Sequence, residues 1–133
     1  MSQEPFADYN LDSRLRLGLA DLALEEPTAV QAAVLPAAIA GRDLRISAET
    51  GSGKTLAYLL PSAQDLLAKP PARNEGTLVL VLVPTRELAR QVVKVARALL
   101  KKSPLNADAI TGGADFKYQR ALLRKNPEIL VAT

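Results

Sequence analysis

Ala48-Glu49-Thr50-Gly51-Ser52-Gly53-Lys54-Thr55 decides the reading of this chain. Just before it, Leu44, Ile46 and the Ser47-Ala48 exit suggest a short strand. Just after it, the apolar pattern predicts a helix over 54–68, stopped by Pro70-Pro71. A glycine-rich turn between a strand and a helix suits anion binding. Glycines let the backbone wrap an anion without Cβ clashes, so successive N–H groups point at its oxygens. The helix N-terminus adds partial positive charge. Lys54 supplies a point charge for β- and γ-phosphates, and the Thr55 hydroxyl can ligate Mg²⁺. The nucleotide-binding candidates are therefore Thr50, Gly51, Ser52, Gly53, Lys54 and Thr55. Lys54 and Thr55 are the catalytic candidates among them, and Thr55 is the metal ligand. Kinases, transporter ATPases and GTPases share such a loop, so it does not say what the nucleotide drives.

Outward from the loop, helix and strand patterns alternate. Asp12 or Ser13 can cap a helix over 14–24, and Pro27-Thr28 opens another over 29–40 that ends at Gly41. The stretch from Pro70 to Gly76 is the clearest surface loop. Leu78-Val79-Leu80-Val81-Leu82-Val83 is an unbroken apolar run, which predicts a strand buried on both faces. A helix over 86–102 should carry Leu88, Val92, Val95 and Leu99 on its apolar face. Residues 107–111 predict another strand, Gly112-Gly113 a turn, 117–125 a helix and 128–131 a last strand. The alternation means an α/β fold with parallel pairing.

Composition narrows the function classes. With 133 residues there is room for one domain with a core. No run of eighteen apolar residues occurs and the N-terminus has no signal-peptide pattern, so a cytoplasmic protein without a membrane partner is expected. The absence of cysteine and histidine excludes disulfides, a zinc site of those residues and a Ser-His-Asp triad. Residues 1–30 carry two basic and six acidic side chains, whereas 84–125 carry ten basic and three acidic ones. That asymmetry points to a polyanion partner on the later half.

Five landmarks in order resemble the DEAD-box RNA helicase family. Pro27-Thr28-Ala29-Val30-Gln31 is similar to its glutamine motif, with Phe6 at the place of an upstream aromatic. Ala48–Thr55 is similar to its phosphate loop, and Pro84-Thr85-Arg86-Glu87-Leu88-Ala89 to its next motif without a mismatch. Thr111-Gly112-Gly113 resembles the double-glycine motif, and Val131-Ala132-Thr133 the entry to a further one. The resemblance implies ATP and Mg²⁺ as cofactors, with Gln31 on the adenine edge and Phe6 packed by the base. It implies RNA as partner, held by its sugar-phosphate backbone at Pro84, Thr85, Arg86, Gly112 and Gly113. Thr28-x-x-Gln31 also reads as a capping box, a role compatible with adenine contact. Arg86, Arg90, Lys94, Arg97 and Lys101 share one helical face, either an RNA surface or a solvated one. Ala23, Leu24, Ala29 and Arg45 depart from the family pattern.

The resemblance further implies two parts of one unit: a helical segment over 1–40 with the glutamine motif, and an incomplete RecA-like P-loop NTPase domain over 41–133. In the family, ATP and RNA close two such domains together, which bends one strand of a short duplex. The Asp-Glu-Ala-Asp motif and the second RecA-like domain would lie past Thr133. Residues 1–133 alone are therefore expected to lack ATP turnover and to be marginally stable. The alternative reading is a stand-alone nucleotide- or RNA-binding module. Gly41-Arg42-Asp43 and Ile110-Thr111-Gly112-Gly113 also resemble bacterial members acting in ribosome assembly, which suggests ribosomal precursors as partners.

Overall fold

Four of the five described α-helices begin where a short polar side chain satisfies a first-turn N–H group. A computed structural model describes residues 4–70 and 75–133, so most of the expected loop from Pro70 to Gly76 lies outside the described residues. A 3-10 turn at Phe6–Asp8 leads to α1 (Ser13–Asp21), capped by the Asp12 carboxylate, which accepts from the Arg14 backbone N–H. Thr28 caps α2 (Ala29–Ile39) and Thr85 caps α4 (Arg86–Leu100). Between them runs α3 (Lys54–Ala68), which starts from the left-handed Gly53 with no side-chain cap. Asp115 caps α5 (Phe116–Leu123).

Three strands form one parallel sheet: β1 (Val79–Leu82), β2 (Ala107–Ile110) and β3 (Ile129–Ala132), in the order β1-β3-β2. Val81 and Ala109 both lie opposite Val131, so the last strand in sequence is the central one. Its four residues are all buried. Among the described strands it alone is buried on both faces.

Two expectations are corrected. Residues 43–49 form no strand, because no described strand runs alongside to take their hydrogen bonds. The run over 78–83 is not buried on both faces. Val79, Val81 and Val83 pack on the core, whereas Leu80 is 58% and Leu82 73% exposed, on a face that no described helix covers. The helix predicted over 86–102 forms over 86–100, and its buried face is turned slightly: Ala89, Val92, Val93, Ala96, Leu99 and Leu100 are inside, while Leu88 and Val95 are only partly covered.

One buried cluster joins the N-terminal helices to the sheet. Phe6, Leu15, Leu19 and Leu35 share it with Leu60 of α3, Leu99 of α4 and Val131 of β3. At the crossing of α1 and α4 the approach is close enough to require glycine. A methyl group at Gly18 would sit 2.1 Å from the Leu99 carbonyl oxygen. Backbone cannot move aside as a flexible side chain can.

The free edge of β2 is closed by side chains from two helices. Arg97 Nε donates to the Ala107 carbonyl at 3.0 Å and its guanidinium pairs with Asp108. From the other side, the Gln119 side-chain oxygen accepts the Thr111 N–H at 2.7 Å. An edge blocked in this way is a poor template for pairing with another chain.

Gly18→Ala should lower the urea midpoint by the equivalent of about 1–3 kcal/mol, the range for overpacking a filled site. An unchanged midpoint would refute the close crossing. The Asp12 carboxyl is pulled from an ordinary 3.8 to about 2, first by its side-chain hydrogen bond to Arg14 and then by the Arg14 backbone N–H. A depressed folded-state pKa contributes stability that is present above about pH 4 and is lost as pH falls through about 2. Asp12→Ala should therefore cost about 1 kcal/mol at pH 7, and its gap to the wild type in thermal melts should narrow as pH falls from about 4 towards 2.

Candidate functional site

The loop 48–53 owes its shape to two left-handed glycines. Gly51 has φ +80° and Gly53 φ +91°, a region that L side chains enter only at a cost of roughly 1–2 kcal/mol. Between them Ser52 closes a turn: its N–H donates to the Glu49 carbonyl at 3.2 Å and its hydroxyl to the same oxygen at 2.6 Å. Nothing lies within 4 Å of where a Gly51 Cβ would stand, so that part of the loop is open. The Lys54 ammonium folds back and donates to the Ala48 carbonyl, which holds the charge over the loop. The backbone N–H groups of Lys54, Thr55 and Leu56 take no backbone partner, and the helix receives no side-chain cap. An N-terminus so arranged concentrates unspent donors and positive potential.

Gln31 ties this loop to the preceding helix. Its side-chain oxygen accepts the Thr28 N–H at 2.9 Å while its own N–H donates to the Thr28 hydroxyl at 3.4 Å, which completes the capping box. Its Nε2 donates to the Gly53 carbonyl at 3.1 Å. The residue is 4% exposed, a buried polar group whose described bonds all go to the backbone or hydroxyl of its own surroundings. A methyl at Gly53 would come within 2.5 Å of Nε2 and 2.8 Å of the Thr28 hydroxyl, so glycine is needed there on two counts. The Gly53 link is the contact that sequence reasoning missed; no local pattern joins residues 22 positions apart. Phe6 is in the core beside Tyr9, with ring centroids 6.5 Å apart. Burial pushes the Tyr58 phenol pKa up, an effect that Thr55, one turn earlier, partly offsets.

A second cluster gathers at the C-terminal ends of the strands. Pro84 and Thr85 follow β1, Gly112 and Gly113 follow β2, and Thr133 follows β3. The Arg86 guanidinium lies against the double-glycine turn: a methyl at Gly113 would be 2.7 Å from both its terminal nitrogens, and one at Gly112 3.8 Å from the nearer. Arg86 and the glycines, 26 and 27 positions apart in sequence, thus form one exposed corner. The Thr85 hydroxyl is engaged as a cap, accepting from the Leu88 N–H at 3.1 Å. The turn is pinned by the Thr133 hydroxyl, which accepts the Gly112 N–H at 3.4 Å, and by Gln119, whose side-chain nitrogen donates to the Ala114 carbonyl at 3.4 Å. Gln119 is a positioning residue that the sequence did not single out; its only signal is a place one turn into the helix after the glycines. The cationic stripe divides: Arg97 is bound to the edge of β2, while Arg90 has only an exposed partner, Glu87 at 3.7 Å.

A cradle of unpartnered backbone donors beside a buried amide is the arrangement that a nucleotide-binding α/β domain needs, and the arginine on a glycine turn forms a separate cationic corner. A family model described as DEAD/DEAH box helicase matches residues 28–133. ATP-dependent RNA helicase SrmB of Escherichia coli (strain K12) is 44% identical over 133 residues, 100% of this chain and 30% of that protein. Probable ATP-dependent RNA helicase DDX27 of Homo sapiens is 41% identical over 128 residues, 96% of this chain and 17% of that protein. The crystal structure of the RNA-helicase Prp28 from Chaetomium thermophilum bound to ADP is similar with a TM-score of 0.85 and 36% identity, over 97% of this chain and 32% of that one. This chain belongs to the DEAD/DEAH box helicase family, and its sheet and helices are those of a helicase RecA-like domain. It spans less than a third of the length of these relatives.

Gly112 and Gly113 offer a paired test. Gly113 has φ +76° and faces Arg86, whereas Gly112 is not in the left-handed region and has room for a methyl. Gly113→Ala should destabilise by about 1–2 kcal/mol, and Gly112→Ala by much less. Equal urea midpoints for the two variants would contradict the turn geometry.

Proposed function

We propose that this chain is the ATP- and RNA-binding part of an ATP-dependent RNA helicase. The observation that carries the reading is the loop ahead of α3. There, unpartnered N–H groups from Lys54 to Leu56, an open Gly51 and the Lys54 ammonium stand at one junction of loop and helix. That set fits a triphosphate, a multivalent anion that needs several fixed donors and one mobile charge. Thr50, Gly51, Ser52 and Gly53 would wrap the phosphates, and Lys54 would move from the Ala48 carbonyl onto them.

The donor set also fits Mg²⁺ in a limited way. Among the described residues no group of three His, Cys, Asp or Glu could hold a metal. The ion would therefore rest on the Thr55 hydroxyl and on phosphate oxygens, as a metal that enters with its nucleotide does. When bound it would neutralise charge that develops on the transferred phosphoryl group. For the base, Gln31 has one N–H and one lone pair beyond those used by Thr28 and Gly53, a matched donor and acceptor for an adenine edge. One side chain would then couple base recognition to loop position. The base-side role for Phe6 rests on the resemblance alone, since its ring is 3% exposed and packs in the core.

RNA is assigned to the corner of Pro84, Thr85, Arg86, Gly112 and Gly113. Glycine backbone and a guanidinium suit phosphate oxygens and read no base, so binding should fall steeply with salt. Ribosomal precursors are the substrate class suggested by the wording of the motifs. No described helix is long and apolar enough to cross a membrane.

In the complete gene product, Lys54→Ala should abolish RNA-stimulated ATP hydrolysis, a loss of at least about a hundredfold. Arg86→Ala should raise the Kd for RNA more than that for ATP, both read by fluorescence anisotropy. Equal losses for both ligands in the arginine variant would remove Arg86 from the RNA corner. Residues 1–133 alone should show no turnover, since the described residues gather no carboxylates to hold a metal and orient a water. Hydrolysis that Lys54→Ala abolishes would overturn that expectation.

A further inference from the structure

We propose that the groove between α4 and α5 carries single-stranded RNA onward from the Arg86–Gly113 corner. This rests on the RNA reading of that corner. The groove has a volume of about 520 Å³, with Val93, Ala109 and Leu122 as apolar lining and Arg90, Lys94 and Tyr118 among its polar walls. Thr111 and Ala114, the residues on either side of Gly112-Gly113, also line it, so the groove opens at the corner itself.

Three observations favour a nucleic acid strand as the occupant. First, Arg86, Arg90 and Lys94 recur every fourth residue on α4, which sets charges in a row about 6 Å apart along the helix. Second, no carboxylate among the described residues lines the groove. Arg97, at its far end, is already neutralised by Asp108, and Glu87 offsets Arg90 only through an exposed contact. Third, Tyr118 is 66% exposed on the opposite wall. A row of cations facing an aromatic over an apolar floor matches a chain with phosphates on one side and flat bases on the other. An acidic peptide would satisfy the cations but has no need of continuity with the phosphate corner.

Phe116 provides the control. It is 75% exposed, yet two residues from Tyr118 it points to another side of α5 and does not line the groove.

The test uses the complete gene product with a non-hydrolysable ATP analogue and fluorescein-labelled oligouridines of about 6 and about 20 nucleotides, one within and one beyond the roughly 4–16 nucleotides that a single-strand-binding module covers. Tyr118→Ala and Lys94→Gln should each weaken the 20-mer by about tenfold and leave the 6-mer unchanged. Lys94→Gln should also flatten the salt dependence, and Phe116→Ala should have no effect. Unchanged 20-mer binding in both groove variants overturns the proposal, as does an equal loss for both lengths or for Phe116→Ala. A labelled oligoglutamate that binds the groove in preference to the 20-mer, with Tyr118-dependent affinity, would assign it to a protein instead. If Tyr118→Ala melts early, Lys94→Gln alone decides. Failure of the wild type to bind even the 6-mer would bring down the RNA reading itself, a result distinct from loss of the length advantage alone.

Discussion

The burial of β3 between β1 and β2 is the constraint on which the other arrangements rest. Ile129, Leu130, Val131 and Ala132 are buried on both faces and supply the hydrogen-bond partners for two strands that are not each other's neighbours. Without β3 the backbone groups of β1 and β2 would face one another across an empty lane. Backbone donors and acceptors inside a core must be paired, so the sheet forms around this strand or not at all. The same strand sets the site. Thr133, its next residue, reaches the Gly112 N–H and fixes the turn against which Arg86 lies.

The proposed sites of this chain are concentrated at helix beginnings. Thr28, Gly53 and Thr85 each precede a helix, and each stands within a motif assigned to nucleotide or RNA. At two of them a threonine oxygen satisfies the first turn, which stabilises the helix and fixes the entering chain. At Gly53 the first turn is left uncapped, and its donors stay available. A capped α3 would be more stable alone and less suited to an anion. Stability and binding thus place opposite demands on the same first turn.

Several residues assigned to ligands also have structural work. Gln31 completes a capping box and holds the Gly53 carbonyl; Thr85 caps α4; Arg97, a member of the cationic stripe, closes the β2 edge. Substituting Gln31 or Thr85 removes a fold contact together with the proposed ligand contact. Arg86 and Lys54 separate the two effects better, because Arg86 rests on a surface turn and Lys54 on a loop carbonyl.

Local features were legible in the sequence. The helix over 54–68 and the last two strands followed from periodicity and from proline and glycine punctuation, because those signals act within a few residues. The glycine-rich turn ahead of α3 was legible because its shape depends on consecutive positions, whereas the assignment of RNA to the Arg86 corner came only through the resemblance. Pairing was not legible. Residues 43–49 have the composition of a strand, but a strand exists only beside a partner, and none is described there. The run from Leu78 to Val83 is apolar throughout, yet which face is covered depends on helices elsewhere in the chain. The Gln31–Gly53 bond, the Arg86–Gly113 contact and the closure of the β2 edge by Arg97 and Gln119 join residues from 8 to 27 positions apart. The sequence by itself determined which segments become helices and where a glycine-rich turn leaves a helix N-terminus uncapped, since both are properties of neighbouring residues. Only the tertiary structure decided which side chains share a site, because that follows from how the strands order themselves around β3.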